Sequence, residues 1–421
     1  MNDTTLIHSA QRATAPRRDL FASLGRRLVL RQLALLHSGS LTLIEGAAHY
    51  HFGQGLPQVQ LTVHNAVFYA DLAFGGSVGA GESYMAGAWS CNNLTDLIRL
   101  MALNQDVLDG VEQRYASLTT PLRKGLHWLN RNSRQGSQRN IGAHYDLGND
   151  FFRLMLDDTM MYSCALFETP QSTLREASIA KLDAICRKLD LGPNDHVLEI
   201  GTGWGGFAMH AAQHYGCRVT TTTISRNQYE LARERIEHAG LSDRITLLLQ
   251  DYRDLTGSYD KLVSIEMIEA VGHQYYDAYF KQCAHLLKPD GQMLLQAITI
   301  TDQRYEAAKN SVDFIQRYIF PGCTIPAVSA LLTSITRASD LKLFDMEDIG
   351  AHYATTLRRW RENFFAQIEQ VRAQAYPESF IRMWEFYLCY CEGGFAERAL
   401  GDVHMLLVKP GCRRAPLSGA V

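Results

Sequence analysis

The sequence lacks the features that mark membrane-spanning, disulfide-stabilised and zinc-binding proteins. It has no run of about eighteen apolar residues, so no transmembrane helix is predicted. Its first residues lack the basic and then apolar order of a secretory signal. The nine cysteines are odd in number and include no Cys-x-x-Cys pair, which argues against a disulfide framework and a zinc knuckle. We therefore expect a cytoplasmic protein without a bound metal.

The sequence also has no overall excess of positive charge, since 41 basic residues stand against 44 acidic ones. Nucleic acid is therefore not an expected partner. Basic residues are nevertheless clustered in residues 1–40 and in residues 121–140, and the second segment contains no acid. Such segments can bind the anionic surface of a bilayer, with about 1 kcal/mol for each cation near the surface. The alternative interpretation is that the first segment forms a solvent-exposed helix face and the second is a polar linker.

At 421 residues the chain is long enough for two domains. Short alternating runs with helical patterns on either side predict a smaller α+β domain over residues 1–120. Residues 121–140 contain turn formers and charge, and we interpret them as a basic linker. Strands and helices alternate over residues 141–421, which predicts a seven-stranded, doubly wound α/β sheet of the Rossmann-like type.

The expected strands are short runs bounded by glycine, proline or polar turns. In the first domain they cover residues 40–44, 48–52, 59–63 and 67–72. In the second domain they cover residues 196–200, 217–223, 244–249, 260–265, 291–298, 341–347 and 402–408. A glycine-dense segment with exposed-type aromatic residues follows the first set, at residues 79–89.

The most informative stretch is residues 197–206, where a buried strand stops at a glycine turn and a helix begins. Gly201, Gly203 and Gly205 stand at alternate positions, and residues without a Cβ let the backbone approach a ligand closely. The N-terminal amide groups of the following helix point toward the same place. The pattern predicts a nucleotide-like ligand, although tight packing between strand and helix is the alternative.

Charges near the glycine turn indicate which ligand binds there. A nicotinamide-binding fold needs an acid at the end of the second strand, but residues 219–225 contain none. Instead, Glu199 lies inside the first strand, just before the glycines. A carboxylate there suits the cationic sulfonium and amino groups of S-adenosylmethionine better than a pyrophosphate.

Ligands of doubly wound sheets bind beyond the carboxyl ends of the strands. Asp251 and Tyr252 follow the third strand, where they would contact the adenine amine and ring; a turn cap is the alternative for Asp251. Glu266 and Glu269 follow the fourth strand. Glu269 has largely apolar neighbours, and a carboxyl group in such a setting has a raised pKa or needs a partner. We therefore expect a functional role for Glu269.

Several ordered motifs resemble those of the cyclopropane-fatty-acyl-phospholipid synthases and the related mycolic acid methyltransferases. They lie at residues 140–152, 161–167, 199–206, 223–228, 250–255, 318–322 and 387–391. The resemblance covers about residues 140–410. It extends more loosely to the N-terminal part, which resembles the family's lipid-contacting domain and would serve lipid docking or formation of a homodimer.

The resemblance implies methyl transfer from S-adenosylmethionine to the cis double bond of a phospholipid acyl chain, at the inner membrane surface. A carbocation on the chain would then lose a proton to a bound bicarbonate and close a cyclopropane ring. The resemblance also assigns residues to the site. Cofactor contacts would include Tyr162, Ser163, Glu199, Gly201, Gly203, Gly205, Thr223, Ile224, Asn227, Gln228, Asp251 and Tyr252. Bicarbonate would be held by Cys164, Glu269, Ile298 and Tyr353.

Two positions need separate comment. Cys391 matches an active-site cysteine of the family, although its apolar and aromatic neighbours alone indicate a small buried hydrophobe. Gln296 stands where the family usually has a histidine. Because an amide carries neither charge nor a transferable proton, the affinity for bicarbonate and the identity of the final base stay open.

Three other functions remain open from the sequence. A methyl-branched or methylene product is the alternative to a ring, because part of the family makes such products. A methyltransferase for a soluble small molecule is the second. A lipid-binding regulatory protein that has lost turnover is the third, and Gln296 would then be the lesion.

Overall fold

The computed structural model of the protein describes residues 15–107 and 147–417. The chain divides into two compact units, Met1–Leu118 with Glu378–Phe386, and Thr119–Pro377 with Tyr387–Val421. The segment 121–140 that we interpret as a linker lies outside the described residues. The first unit includes a late segment that the sequence alone would group with residues 141–421. Among the helices of the described part, none is both long enough and apolar enough to cross a bilayer.

The first unit contains a four-stranded sheet in the order β2-β1-β3-β4. Its strands are β1 (Gly39–Glu45), β2 (Ala48–Gln54), β3 (Gln58–Val63) and β4 (Trp89–Cys91). The helices that precede and follow them are α1 (Ala15–Leu33), α2 (Val67–Met85) and α3 (Leu94–Leu103). Strands β1 and β3 are parallel, while β2 and β4 are antiparallel to their neighbours.

The prediction of a strand at residues 67–72 is wrong, because this segment begins α2. The side chain of Asn65 accepts a hydrogen bond from the Val67 amide at 3.0 Å, which satisfies one of the free donors at the helix start. Phe68 and Tyr69 are both buried, and consecutive buried residues do not fit a strand with one solvent face. A Cβ on Gly79 would lie 2.0 Å from a backbone oxygen of the same helix, so glycine permits this close approach.

The aromatic residues of segment 79–89 are buried, contrary to the sequence prediction. Tyr84 donates its hydroxyl hydrogen bond to Glu385 at 2.7 Å. The guanidinium of Arg382 lies 4.1 Å from the centre of the Tyr84 ring. Trp89 packs against Tyr84 at a centroid distance of 4.9 Å. The sequence did not reveal these partners, because they lie about 300 residues later in the chain.

The second unit contains a seven-stranded sheet in the order β10-β11-β9-β8-β5-β6-β7. Its strands are β5 (His196–Ile200), β6 (Arg218–Thr223), β7 (Ile245–Leu249), β8 (Tyr259–Ile265), β9 (Leu287–Ile300), β10 (Lys342–Asp348) and β11 (Leu400–Val408). All seven predicted strands are present. The central strands are parallel, and β11 is antiparallel to both of its neighbours. The predicted seven-stranded, doubly wound α/β fold is confirmed.

Helices precede β5 and lie between most of the later strands along the chain. They are α4 (Asn149–Arg153), α5 (Leu174–Leu189), α6 (Gly206–His210, continued by a π-helical turn), α7 (Arg226–His238), α8 (Tyr276–Leu286), α9 (Asp302–Ala308), α10 (Phe314–Tyr318), α11 (Val328–Ala338), α12 (Gly350–Ala366), α13 (Ile368–Ala373) and α14 (Glu378–Ala396). The sequence analysis did not predict α4, α11 or α14.

The central strand β5 is covered on both faces. Leu198 packs in one apolar cluster with Phe280 of α8, and Val197 packs in a second cluster with Phe207 of α6. Strands buried on both faces consist of nearly continuous apolar residues. The polar Glu199 in this strand therefore stands out, and it lies at the carboxyl end where the sheet opens toward the site.

Candidate active site

A cavity of about 290 Å³ lies in the second unit, beyond the carboxyl ends of the parallel strands. This is where ligands bind in doubly wound sheets. The predicted site residues that line it are Tyr162, Ser163, Glu199, Gly201, Gly203, Thr223, Ile224, Gln228, Asp251, Tyr252, Glu269, Ile298, Tyr353 and Cys391. Four others, Cys164, Gly205, Asn227 and Gln296, are not part of the lining.

The glycine turn adopts the backbone conformation that its composition favours. Gly201, Gly203 and Gly205 have φ values of 99°, 53° and 87°, in the region that side chains disfavour. A Cβ on Gly203 would meet no atom within 4 Å, so the glycine leaves open space beside the cavity. Gly205 instead forms the start of α6. The turn therefore provides an open backbone surface next to a helix N-terminus.

Glu199 is a buried carboxylate in the wall of the cavity, with 2% of its surface exposed. Its Oε2 accepts a hydrogen bond from the Thr221 hydroxyl at 2.5 Å. Burial raises the pKa of Glu199 to about 7. A cationic ligand would favour the ionised form, so this residue fits the sulfonium and amino groups of S-adenosylmethionine.

The segment after β6 positions further polar groups at the cavity. The Thr223 hydroxyl donates to Gln228 Oε1 at 2.8 Å, and the Ser225 side chain caps α7. Thr223 and Gln228 thereby hold each other in the cavity wall. Asn227 lies apart from the lining, and its carbonyl accepts a hydrogen bond of 3.5 Å from the Asn149 side chain.

Asp251 forms a cap, as the alternative interpretation proposed. Its Oδ1 accepts from the backbone amide of Arg253, and both carboxylate oxygens accept from the Arg253 guanidinium, at 2.8 and 2.6 Å. Tyr252 packs edge-on against Tyr279. Both Asp251 and Tyr252 still line the cavity, so a contact with the cofactor adenosine stays a prediction.

Glu269 is buried in the cavity wall, as its apolar neighbours in the sequence indicated. Its Oε1 accepts a hydrogen bond from the Ile298 amide at 2.6 Å. Its Oε2 is buried and finds no hydrogen-bond partner among the described residues. Burial, with a smaller contribution from the charge of Glu266, raises the pKa of Glu269 to about 8.

Glu266 is a second carboxylate in the cavity wall, and the sequence analysis gave it no role. It accepts three hydrogen bonds, from the Cys164 amide at 2.7 Å, Gln296 Nε2 at 2.8 Å and the Tyr353 hydroxyl at 2.6 Å. In the sequence, the feature that could have indicated a role for Glu266 was its position at the end of a buried strand. The three donors come from distant segments, so only the fold reveals that they converge.

A buried polar network lies behind Glu266. Gln296 Nε2 also donates to Asp402 Oδ2 at 2.9 Å, and the ring of His404 lies 3.2 Å from Gln296 Oε1. Burial and the nearby Glu266 charge raise the pKa of Asp402 well above its ordinary value. Burial also raises the pKa of Glu266, but the hydrogen bonds from Tyr353 and the Cys164 amide oppose that rise, so Asp402 holds its proton more tightly than Glu266 does. Sequence analysis missed Asp402 and His404 because both lie within a strand with apolar neighbours.

Bicarbonate does not fit the residues that the resemblance assigns to it. The Cys164 amide, the Gln296 side chain and the Tyr353 hydroxyl all donate to Glu266. The Ile298 amide donates to Glu269. Each of these donors is thus already satisfied by a carboxylate of the chain itself, and no step below depends on bicarbonate.

Aromatic side chains form another part of the cavity wall. The hydroxyls of Tyr162 and Tyr387 lie 2.8 Å apart, and the Tyr162 ring also packs against Phe320. Tyr353 stacks on Phe395 with centroids 4.4 Å apart. Because Tyr353 also donates to Glu266, aromatic faces and a carboxylate meet in the same cavity.

Neither predicted cysteine provides a thiolate. Burial raises the pKa of the Cys164 thiol well above its ordinary value, and burial also raises the pKa of Cys391. A protonated thiol is a poor nucleophile. Cys164 contributes its backbone amide, while Cys391 contributes a small apolar surface to the cavity.

Comparison with known proteins identifies the family of this chain. The family model described as mycolic acid cyclopropane synthetase matches residues 132–405. The chain belongs to this family. The resemblance seen in the sequence motifs is thereby confirmed, and this family member is an S-adenosylmethionine-dependent C-methyltransferase.

Individual relatives agree with the family assignment. The chain is 38% identical over 344 residues to the cyclopropane-fatty-acyl-phospholipid synthase of Escherichia coli, covering 82% of this chain and 86% of that protein. It is also 38% identical over 354 residues to the tuberculostearic acid methyltransferase of Mycobacterium tuberculosis, covering 80% of each. A solved mycolic acid cyclopropane synthase complexed with SAH and CTAB has a TM-score of 0.60 and 32% identity, covering 65% of this chain and 98% of that one.

Proposed function

We propose that this methyltransferase adds a methyl group to the cis double bond of an unsaturated phospholipid acyl chain and closes a cyclopropane ring. The observation that carries the proposal is a largely apolar cavity in which aromatic faces and two carboxylates meet beside the cofactor turn. When bound, S-adenosylmethionine supplies an electrophilic methyl group. The residues that would hold it are the glycine turn, Glu199, Thr223 and Gln228.

The apolar wall of the cavity serves the first part of the reaction. An olefin is a weak nucleophile, so catalysis depends on aligning it with the methyl donor and on excluding water. Side chains such as Ile298, Ile315 and Leu357 line the cavity and would bind a hydrocarbon chain without offering a competing nucleophile.

The aromatic wall serves the second part. Methylation of the double bond leaves a positive charge on the acyl chain, and the faces of aromatic rings attract cations. The rings of Tyr162, Phe320, Tyr353 and Tyr387 all line the cavity. We therefore assign them to stabilisation of the carbocation before it loses a proton.

The substrate requires access to a bilayer, and we propose that the protein works at the cytoplasmic surface of the inner membrane. The basic residues of segments 1–40 and 121–140 support this proposal through their charge. Arg26 is an exception, because it pairs with Glu45 at 2.7 Å and also donates to the Tyr50 hydroxyl. Lipid docking or a homodimer through the first unit remain our predictions for that unit.

Incubation with methyl-labelled S-adenosylmethionine and phospholipid vesicles tests the proposal. We expect label in the fatty acids of vesicles with cis-unsaturated chains and none with saturated chains. Vesicles with anionic headgroups should be methylated faster than neutral ones at low salt, because screening weakens the attraction of basic segments. Label transfer only to a soluble acceptor would contradict the proposal. Cofactor binding with no transfer to any acceptor would instead favour the regulatory alternative.

A further inference from the structure

Two of the residues that the resemblance assigns to bicarbonate, Cys164 and Tyr353, donate instead to the carboxylate of Glu266. A third donor is Gln296, which stands where the family usually has a histidine, and all three donors lie 2.6–2.8 Å from the two oxygens of Glu266. Their segments are held by β9, α12 and the chain before α5, so the arrangement is set by the fold. A planar carboxylate and a planar bicarbonate present oxygens of the same kind to such donors.

The backbone at Glu266 is specifically arranged to place this side chain. Its φ is 48°, in the left-handed region that a non-glycine residue rarely adopts. Such a conformation is unfavourable and persists where surrounding contacts enforce it. The three donated hydrogen bonds are those contacts, and they direct the carboxylate to the cavity wall.

The surroundings divide charge between the carboxyl groups. Burial raises the pKa of Glu269 to about 8, so that group holds a proton at neutral pH. Burial also raises the pKa of Asp402 well above its ordinary value. Burial raises the pKa of Glu266 too, but the hydrogen bonds from Tyr353 and the Cys164 amide and the charge of Lys181 oppose this rise and favour the anion. Carboxyl groups with such different environments take different roles in catalysis.

We propose that Glu266 is the catalytic base of this enzyme and replaces bicarbonate as the acceptor of the final proton. The inference deepens the proposed function and rests on it. In the step itself, a C–H bond of the transferred methyl breaks and its proton goes to a Glu266 oxygen. The electron pair of that bond forms the new bond to the cationic carbon of the chain and closes the ring. The carboxyl group then returns its proton to solvent after product release.

Two substitutions at this position separate a chemical role from a structural one. Glu266→Gly removes the carboxylate, frees the three donors and suits the positive φ. Glu266→Gln keeps the size of the side chain but cannot accept the proton. Loss of a general base costs about a hundredfold or more, so both variants should be slowed by that amount in bicarbonate-free buffer. Added bicarbonate should restore at least about a tenth of wild-type turnover in Glu266→Gly and none in Glu266→Gln.

Binding provides a second readout that does not depend on turnover. Labelled ¹³C-bicarbonate, followed by NMR line broadening, should bind to Glu266→Gly and not to the wild type or Glu266→Gln. Thermal melting and cofactor affinity of each variant show that it is folded. Bicarbonate-dependent turnover of the wild type would overturn the inference, as would full activity of Glu266→Gln. Either result leaves the proposed function intact, whereas a wild type that methylates no lipid overturns the proposed function itself.

Discussion

Cofactor binding should depend on pH through the ionisation of Glu199. The substitution Glu199→Gln should abolish this dependence. The carboxyl group is buried, its pKa is raised to about 7, and it lines the cavity beside the glycine turn. If the cationic cofactor binds only when the Glu199 carboxyl group is ionised, only the fraction of free enzyme with ionised Glu199 is competent to bind. That fraction rises from about a tenth at pH 6 to about nine tenths at pH 8. The affinity should therefore increase about tenfold over this range.

Isothermal titration calorimetry measures this effect directly. The affinity for S-adenosylmethionine is determined at pH 6, 7 and 8 for the wild type and for Glu199→Gln, and the ratio of the two removes titration of the ligand itself. At pH 7, binding to the wild type should release about half a proton more than binding to the variant. Equal pH dependence in both proteins would refute the assignment of Glu199 to the cofactor cation.

Further predictions concern Glu269 and the glycine turn. Glu269→Gln should reduce turnover sharply and leave cofactor affinity nearly unchanged in steady-state kinetics and calorimetry; unchanged turnover rules out a role in the reaction. A folded pKa of about 8 against an ordinary value of 4.5 means that the unfolded chain ionises first as pH rises. The free energy of unfolding of the wild type, relative to that of Glu269→Gln, should thus fall by about 2 kcal/mol between pH 5 and pH 7 in urea unfolding, and a constant difference would contradict the raised pKa. Gly206→Ala places a Cβ 2.8 Å from the Thr159 oxygen and should weaken cofactor binding and lower the melting temperature. The Cβ added by Gly203→Ala meets no atom within 4 Å, so in the free protein this substitution should cost only about 1 kcal/mol of stability. Equal melting temperatures of the two variants would argue against the close packing at Gly206.

The sheet could be predicted because its physical signals are local. A parallel strand buried on both faces is a short apolar run, and the glycine turn after β5 interrupts it within a few residues. The segment 67–72 was predicted wrongly, because its apolar and aromatic residues fit a strand pattern as long as the hydrogen bond from the Val67 amide to Asn65 at the helix start is not known. Helix α14 was not predicted because four consecutive residues, Phe386–Cys389, are buried, so its apolar residues do not form one periodic face.

Only those site residues that lie at or just after the ends of strands could be predicted from the sequence. Glu199 and Glu269 lie in the cavity wall as expected, since each carboxylate has apolar neighbours in sequence. The function of Glu266 depends on donors about 30 to 100 residues away, and no sequence pattern relates them. The same convergence explains why a bicarbonate site, implied by resemblance, is filled by a side chain here.

The central claim is that a methyl group is added to a lipid double bond and then gives up one hydrogen to a base in the cavity. Mass spectrometry of fatty acids after reaction with methyl-deuterated S-adenosylmethionine tests it most directly. The account predicts a product that retains two of the three deuterium atoms as a CD₂ unit and has lost its double bond. A product that retains all three deuterium atoms, or a CD₂ product that is still unsaturated, would contradict ring closure by this route.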